Sequence, residues 1–314
     1  MKTNQILVPI LIVCGPTASG KSDLALRLAH ELDAEIVNAD SMQVYRGLDI
    51  GTAKPTQKQR TEISHHLIDS VDPNELFSAA DFAVAADAAI LDITGRGKRV
   101  IVVGGTGLYI RALLKGLVDS PSGAGEIRAE LQEEAGRLGN AAMLDKLRQV
   151  DPELAASLHP NNLVRIIRAL EVQRLTGIPL SHYQKEHAFS ASRYDSLQVG
   201  ISVERAELYR RIEQRVDRML AEGLLDEVRS LLSAGFVREL KAMRSIGYKQ
   251  SVAHLLGELP LEEAASLIKR DTRHYAKRQL TWFNADPDIL WFEYPEKFAS
   301  ILKHVIDFFE RREA

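Results

Sequence analysis

The sequence predicts an α/β fold, a parallel sheet core interrupted by an all-helical insertion. Three observations carry this. A nearly continuous apolar run at 6–14 passes straight into a glycine-rich loop and then into a helical repeat of Leu24, Leu28 and Leu32. Two more short apolar runs, at 35–38 and 99–103, recur with a helical segment between them. From 126 to 176 the strands stop and only helical spacing remains. Strands alternating with helices favour a parallel sheet, because each crossover helix covers a sheet face.

The elements follow in chain order. The 6–14 run is apolar at successive positions, as expected for a strand buried on both faces. The helix at 21–32 places Ala25 and Ala29 beside its leucines. A helix from about 78 to 91 begins at Ser78, a good cap, with Asp81 in its first turn. The strand at 99–103 is bounded by Gly104 and Gly105. The 120–125 stretch is turn-rich. Beyond it, Ile127, Leu131, Ala135 and Leu138 form one helical stripe, and Leu163, Ile166, Ile167 and Leu170 form another. A strand returns at 197–203, then helices at 204–222 and 261–283. The expected organisation is therefore core at 1–117, helical insertion at 118–197, and core with C-terminal helices at 198–314.

Composition narrows the function. At roughly 150 residues per domain, 314 residues suggest one large domain or two. A hydrophobic share of 45% excludes general disorder. No apolar run approaches the ~18 residues of a membrane helix. A glycine motif, not a small-residue cleavage site, follows the first run, so no secretory signal is expected. The single cysteine, Cys14, excludes a disulfide framework and a cysteine zinc site and fits a reducing cytoplasm. A net charge of −3 argues against a uniform basic field. Aromatics at 6% argue against a wide base-stacking platform, so any RNA contact rests on local clusters.

The strongest motif is GPTASGKS: Gly15, Pro16, Thr17, Ala18, Ser19, Gly20, Lys21 and Ser22. It has the G-x-x-x-x-G-K-[ST] spacing between a strand and a helix. Loop amides and a helix N-terminus make an anion cradle, Lys21 adds a point charge, and the Ser22 hydroxyl suits Mg²⁺. A nucleotide-hydrolysing enzyme also needs an apolar strand ending in Asp to hold Mg²⁺. The strand at 99–103 ends instead in the neutral GGTG of 104–107. This points to a phosphorylated ligand other than a nucleotide being hydrolysed.

Asp40 follows the second strand. Ligands in open α/β sheets sit at the strands' carboxyl ends, so Asp40 should face the phosphate loop's crevice. There it can bind Mg²⁺ or accept a proton; equally, it can cap a local turn. Gln43 has the donors and acceptor to read a base edge.

DSMQVYRGLDIGTAKP (40–55), HHLID (65–69), FSAADF (77–82), GGTGLY (104–109), HPNN…RIIRALEV (159–172), SIGYKQ (245–250) and TRHYAKRQLTWF (272–283) occur in order. With the phosphate loop, this series resembles the tRNA dimethylallyltransferases, or tRNA isopentenyltransferases, over nearly the whole chain. Ser22 stands where Thr is frequent, Asn162 where Asp is, Lys249 where Arg is and Asn284 where Arg is.

The resemblance implies a P-loop kinase-like core and an insertion that grips a tRNA anticodon stem-loop. It implies transfer of a dimethylallyl group from dimethylallyl diphosphate to N6 of the adenosine 3′ of the anticodon, in tRNAs reading codons that begin with U. The cradle at 15–22 then holds the prenyl diphosphate, with Mg²⁺ on Ser22 and Asp40. Asp40 accepts the N6 proton, and the Thr17 hydroxyl either orients the amine or the bridging oxygen or serves hydrogen bonding within the loop. Arg211 and Arg215 share a helix face; the resemblance favours Arg215 as diphosphate ligand and Arg211 second, with Glu207 as a competing partner for Arg211. The tRNA contacts implied are Asp40, Ser41, Met42, Gln43 and Thr106, then Val164, Arg165, Ile166, Ile167 and Arg168, then Arg244, Ser245, Ile246, Gly247, Tyr248 and Lys249. Lys269, Arg270, Arg273, Lys277 and Arg278 form a basic stripe that suits RNA or a solvated face equally. His65 and His66 are expected in structural hydrogen bonds, since no third metal ligand is spaced near them. A monomer is expected. The competing class is a small-molecule kinase with the same loop and fold.

Overall fold

The computed structural model describes residues 7–117, 125–187 and 192–313. Six strands form one sheet: β1 (Pro9–Cys14), β2 (Ala34–Asn38), β3 (His65–His66), β4 (Arg99–Gly104), β5 (Asp195–Ser202) and β6 (Ile289–Glu293). Their order is β3-β2-β4-β1-β5-β6 and every pairing is parallel. β1 is therefore central, which explains its apolar run. Ile10, Ile12 and Cys14 face one core layer, with Phe82, Ile90 and Leu113 from the helices Ala79–Gly95 and Gly107–Lys115. Leu11 and Val13 face the other, with Leu24, Leu28, Val305 and Phe309 from the helices Lys21–Leu32 and Phe298–Glu313. The strand's two-residue alternation sends successive side chains into different layers.

Ser78 caps its helix as expected. Its hydroxyl accepts from the Asp81 amide at 3.2 Å, and the Asp81 carboxylate accepts from the Ser78 amide at 2.8 Å. That helix runs to Gly95, four residues beyond the expected end, because Ile93 is still on its buried face. The sequence reading missed β3 and β6. Both lie at the sheet's edges: β3 has only two residues, both histidine, and β6, although apolar from Ile289 to Phe292, is too short a run for periodicity to tell strand from helix. β5 starts at Asp195, two residues early; Asp195 and Ser196 pair with Pro9 and Ile10, but their polarity hides the strand. The turn-rich stretch expected at 120–125 lies, up to Ala124, outside the described residues.

The chain divides into two compact units. One comprises the described residues up to Leu114 and from Arg193 onward; the other spans Lys115–Ser192. The second is helical, with helices Glu126–Leu138, Asn140–Val150, Pro152–Ala156, Leu163–Thr176 and Leu180–His187. Its own core holds Leu131, Met143, Leu144, Leu147, Ile166, Ile167 and Leu170. Leu138, expected in that stripe, is 45% exposed at the end of its helix. Among the described residues, no helix is long and apolar enough to cross a membrane.

Candidate active site

The phosphate loop leaves the end of β1. Gly15 and Gly20 adopt φ of +147° and +100°. Ala18 holds φ of 64°, which costs an L-residue roughly 1–2 kcal/mol. The helix Lys21–Leu32 has no side-chain cap at Gly20, so its first amides are open to an anion. Not every loop amide is available. The Thr17 amide donates to Gln279 Oε1 at 2.8 Å, and Gln279 Nε2 donates to the Gly105 carbonyl at 2.9 Å. Gln279 thereby ties the phosphate loop to the turn after β4. Sequence reasoning missed it inside the basic stretch. The available signal was a neutral polar residue on the buried face shared by Ile268, Ala276 and Phe283.

Asp40 sits just beyond β2, where it caps a turn and also faces the crevice beside the phosphate loop. Its Oδ1 accepts from the amides of Met42 (2.8 Å) and Gln43 (3.3 Å), a capped turn. The same side chain lines two adjoining cavities. The neutral end of β4 brackets this turn. The Ala39 amide donates to the Val103 carbonyl at 2.7 Å, and the Ser41 amide donates to Thr106 Oγ1 at 3.0 Å. A Cβ on Gly104 would lie 2.1 Å from the Ala39 carbonyl oxygen, so only glycine fits. Gly104→Ala should therefore shift the Asp40 turn and destabilise the protein at or above the upper end of the usual ~1–3 kcal/mol for overpacking. Urea denaturation measures this; an unchanged midpoint would refute the bracket.

The first cavity is cationic and polar, lined by Thr17, Lys21, Ser22, Asn38, Asp40 and Arg215. The second is apolar, with Met42, Ile212, Val216, Met219, Ile246 and Tyr275. Thr17, Asp40 and Arg215 line both. Burial, seconded by repulsion from Arg215, pushes the Lys21 ammonium down to about 8, against the pull of Asp40. Burial likewise lowers Arg215, and Asp40 opposes it. Two cations beside one carboxylate leave a local excess of positive charge, which an anion would relieve. The sign of the pH effect follows. An anionic ligand needs Lys21 protonated, so kcat/KM for it should fall as pH rises through about 8. A profile flat to pH 10 would refute this.

The structure separates the other expected site residues. Arg211 Nε pairs with Glu207 at 2.7 Å, the competing partner, while its NH1 stays 3.4 Å from the Ser19 carbonyl. Arg215 makes no such ion pair among the described residues; its NH2 donates to the Thr52 carbonyl at 3.2 Å. Gln43 is buried and its Nε2 donates to the carbonyls of Thr52 (3.0 Å) and Ala53 (3.3 Å), so its amide donors serve the loop. Ser245, Ile246 and Gly247 join Ser41 and Met42 around the apolar cavity. Tyr248 is fully buried with its hydroxyl on Glu227, while Arg244 and Lys249 are exposed. In the helical unit, Ile166 and Ile167 fill the core, Val164 and Arg165 face solvent, and Arg168 pairs with Glu171.

The basic stripe divides. Lys269 pairs with Asp217, Arg270 with Asp271 and Arg273 with Glu213. Lys277 and Arg278 are exposed and have no acidic partner among the described residues. His65 Nδ1 donates to the Ile63 carbonyl and His66 Nε2 to the Glu35 carboxylate, both at 2.7 Å, as structural groups. Among the described residues no three His, Cys, Asp or Glu side chains cluster as metal ligands.

Comparison with known proteins places this geometry. The family model described as IPP transferase matches residues 43–286, leaving the phosphate loop outside the matched span. Full-length relatives include that loop. The tRNA dimethylallyltransferase 1 of Pelobacter propionicus is 70% identical over 308 residues, covering 98% of this chain and 100% of its own. The crystal structure of a full-length tRNA isopentenylpyrophosphate transferase from Bacillus halodurans superposes with a TM-score of 0.72 at 40% identity, covering 97% of this chain and 98% of that one. A eukaryotic dimethylallyltransferase captured acting on tRNA gives a TM-score of 0.78 at 31% identity, over 91% of this chain and 74% of its own. With such identity along both chains and a shared fold, this chain belongs to the tRNA dimethylallyltransferase (IPP transferase) family of prenyl-transferring enzymes.

Proposed function

We propose that this chain transfers the dimethylallyl group of dimethylallyl diphosphate to N6 of the adenosine 3′-adjacent to the anticodon, in tRNAs reading UNN codons. One observation carries the reading. Thr17, Asp40 and Arg215 stand where a cationic cavity meets an apolar one, so a leaving phosphate, a hydrocarbon and a proton acceptor can converge there.

An exocyclic adenine amine is a weak nucleophile, and an allylic diphosphate reacts only when its departing charge is neutralised. The open amides of the loop, Lys21 and Arg215 supply that neutralisation in an enclosed site, where electrostatics are strongest. The N6 nitrogen attacks C1 of the allyl group, the C1–O bond breaks, and diphosphate leaves into the loop. The N6 proton passes to Asp40, whose Oδ1 is already engaged by backbone amides and so holds the carboxylate in place. The adenosine must leave its stack to reach Asp40, so base flipping accompanies binding. Ser41, Met42 and the 245–247 segment line the apolar cavity beside Asp40, and Thr106 Oγ1 accepts from the Ser41 amide, which supports them as contacts of the base. In the core unit the exposed Arg244, and Lys249, which also pairs with Asp271 at 3.0 Å, suit a phosphate backbone; in the helical unit, taken by itself, the exposed Arg165 does so too.

Ser22 and Asp40 line the same cavity and offer one hydroxyl and one carboxylate. Mg²⁺ is commonly held by one or two protein oxygens with phosphate oxygens and waters completing the shell, so these residues fit it. When bound, Mg²⁺ would supply charge neutralisation on the diphosphate. We take the enzyme to act as a cytoplasmic monomer. The test is incubation with dimethylallyl diphosphate, Mg²⁺ and unmodified tRNA, followed by nucleoside mass analysis. A dimethylallyl adduct on that adenosine is expected. Turnover of ATP on a small hydroxylated substrate, with no adduct, would sink the reading in favour of a kinase.

A further inference from the structure

We infer that Glu227, on the helix Leu224–Ser233, is a positioning residue that sets the guanidinium of Arg215 through the backbone of loop 49–52. The inference rests on the proposed prenyl transfer. The Glu227 carboxylate collects three successive backbone amides: Oε2 accepts from Asp49 at 3.0 Å and Ile50 at 2.7 Å, and Oε1 accepts from Gly51 at 3.2 Å. Oε1 also accepts the Tyr248 hydroxyl at 2.5 Å. Converging amides form an anion nest, and here the protein fills that nest with its own carboxylate. Bonds to an ionised acceptor are roughly twice as strong as neutral ones, so the three amide bonds fix the loop firmly and the Tyr248 bond fixes the carboxylate.

The partners are themselves immobile. Tyr248 is wholly buried, and its ring lies over Gly51, where a Cβ would come within 2.4 Å of it. The next residue carries the consequence. The Thr52 carbonyl accepts from Arg215 NH2 at 3.2 Å and from Gln43 Nε2 at 3.0 Å. Gly51, Thr52 and Arg215 all line the apolar cavity. Pinning 49–51 from the outside thus fixes a carbonyl inside the site, and that carbonyl holds one arm of the arginine fork. Lys54 anchors the loop independently through Asp49 at 2.6 Å and Asp69 at 2.5 Å. Losing the Glu227 charge should therefore displace the loop and leave the fold intact. A displacement near 1 Å at a reacting group can cost about 10²-fold in rate.

The experiment is a double-mutant cycle on prenyl transfer to unmodified tRNA, with wild type, Glu227→Gln, Arg215→Lys and the double variant. Glu227→Gln should lower kcat about 10- to 100-fold with KM for tRNA unchanged, because the RNA-facing side chains are untouched. In the Arg215→Lys background the same change should cost no more than about twofold, since its effect passes through the missing guanidinium. Independent, multiplying losses would overturn the clamp. If Glu227→Gln does not fold, Tyr248→Phe removes one of the four bonds. It should give a smaller kcat loss that again vanishes beside Arg215→Lys, and multiplying losses there overturn the clamp equally. A wild type that makes no prenylated adenosine overturns the functional reading and the clamp with it; product from wild type with independent losses overturns the clamp alone.

Discussion

Asp40→Asn lowers prenyl transfer by about 10²–10⁴-fold, the usual contribution of a positioned general base, and leaves tRNA affinity where it was. Asparagine is the informative replacement. Its Oδ1 still accepts from the amides of Met42 and Gln43, so the turn after β2 keeps its shape. What is lost is the carboxylate charge, which would accept the proton and help to hold Mg²⁺. Alanine would remove the turn's acceptor as well and confuse two causes. Single-turnover transfer measured beside filter binding of tRNA separates chemistry from binding. Wild-type rates in Asp40→Asn would rule out Asp40 as the acceptor of the N6 proton. The sequence left open whether Asp40 is a cap or a catalytic group. In the structure one carboxylate oxygen makes the cap and the side chain still lines both cavities, so the cap does not preclude the proposed role.

Lys21→Met should lower kcat/KM for dimethylallyl diphosphate by about 10²–10³-fold, as expected when one element of a charge-stabilising cradle is removed. Stability should move the other way. Lys21 titrates near 8 in the folded protein, below its ordinary 10.5. Between those values the unfolded chain binds more protons than the native one, so stability rises with pH across that window. Below about pH 8 the native protein carries the full cost of a buried ammonium. Methionine has a similar length and no charge, so at pH 7 its melting temperature should equal or exceed that of the wild type. A function lost while stability is kept or gained marks a residue retained for its ligand. A variant that loses both together would show that Lys21 serves the fold.

Much of this site was legible in the chain. The phosphate loop announces itself because the backbone geometry it needs is local: glycines at fixed spacing between an apolar strand and a helix. The placement of Asp40 beside it follows from strand ends in a parallel sheet. The bracket at Gly104, the link through Gln279 and the clamp at Glu227 were not legible. Each joins residues far apart in sequence: Gln279 meets Thr17 across 262 positions and Glu227 meets Asp49 across 178. No periodicity reports such a meeting. The resemblance implies one contact strip over 244–249, yet Tyr248 turns into the core while Arg244 and Lys249 stay outside. Two of the five residues of the basic stripe likewise resolve into pairs with Asp217 and Glu213 on a neighbouring helix.

The sequence by itself determined the α/β class, the helical insertion and the anion cradle, because these depend on spacing within one segment. The tertiary structure alone decided which polar groups are spent on the protein and which are left for a ligand. Gln43 and Thr17 use backbone-bonding capacity internally, while Lys21 and Arg215 keep their charge without an acidic ion-pair partner among the described residues. The physical reason is that a hydrogen bond or ion pair is fixed by where two distant segments meet when the core closes, and that meeting is a property of the packed molecule.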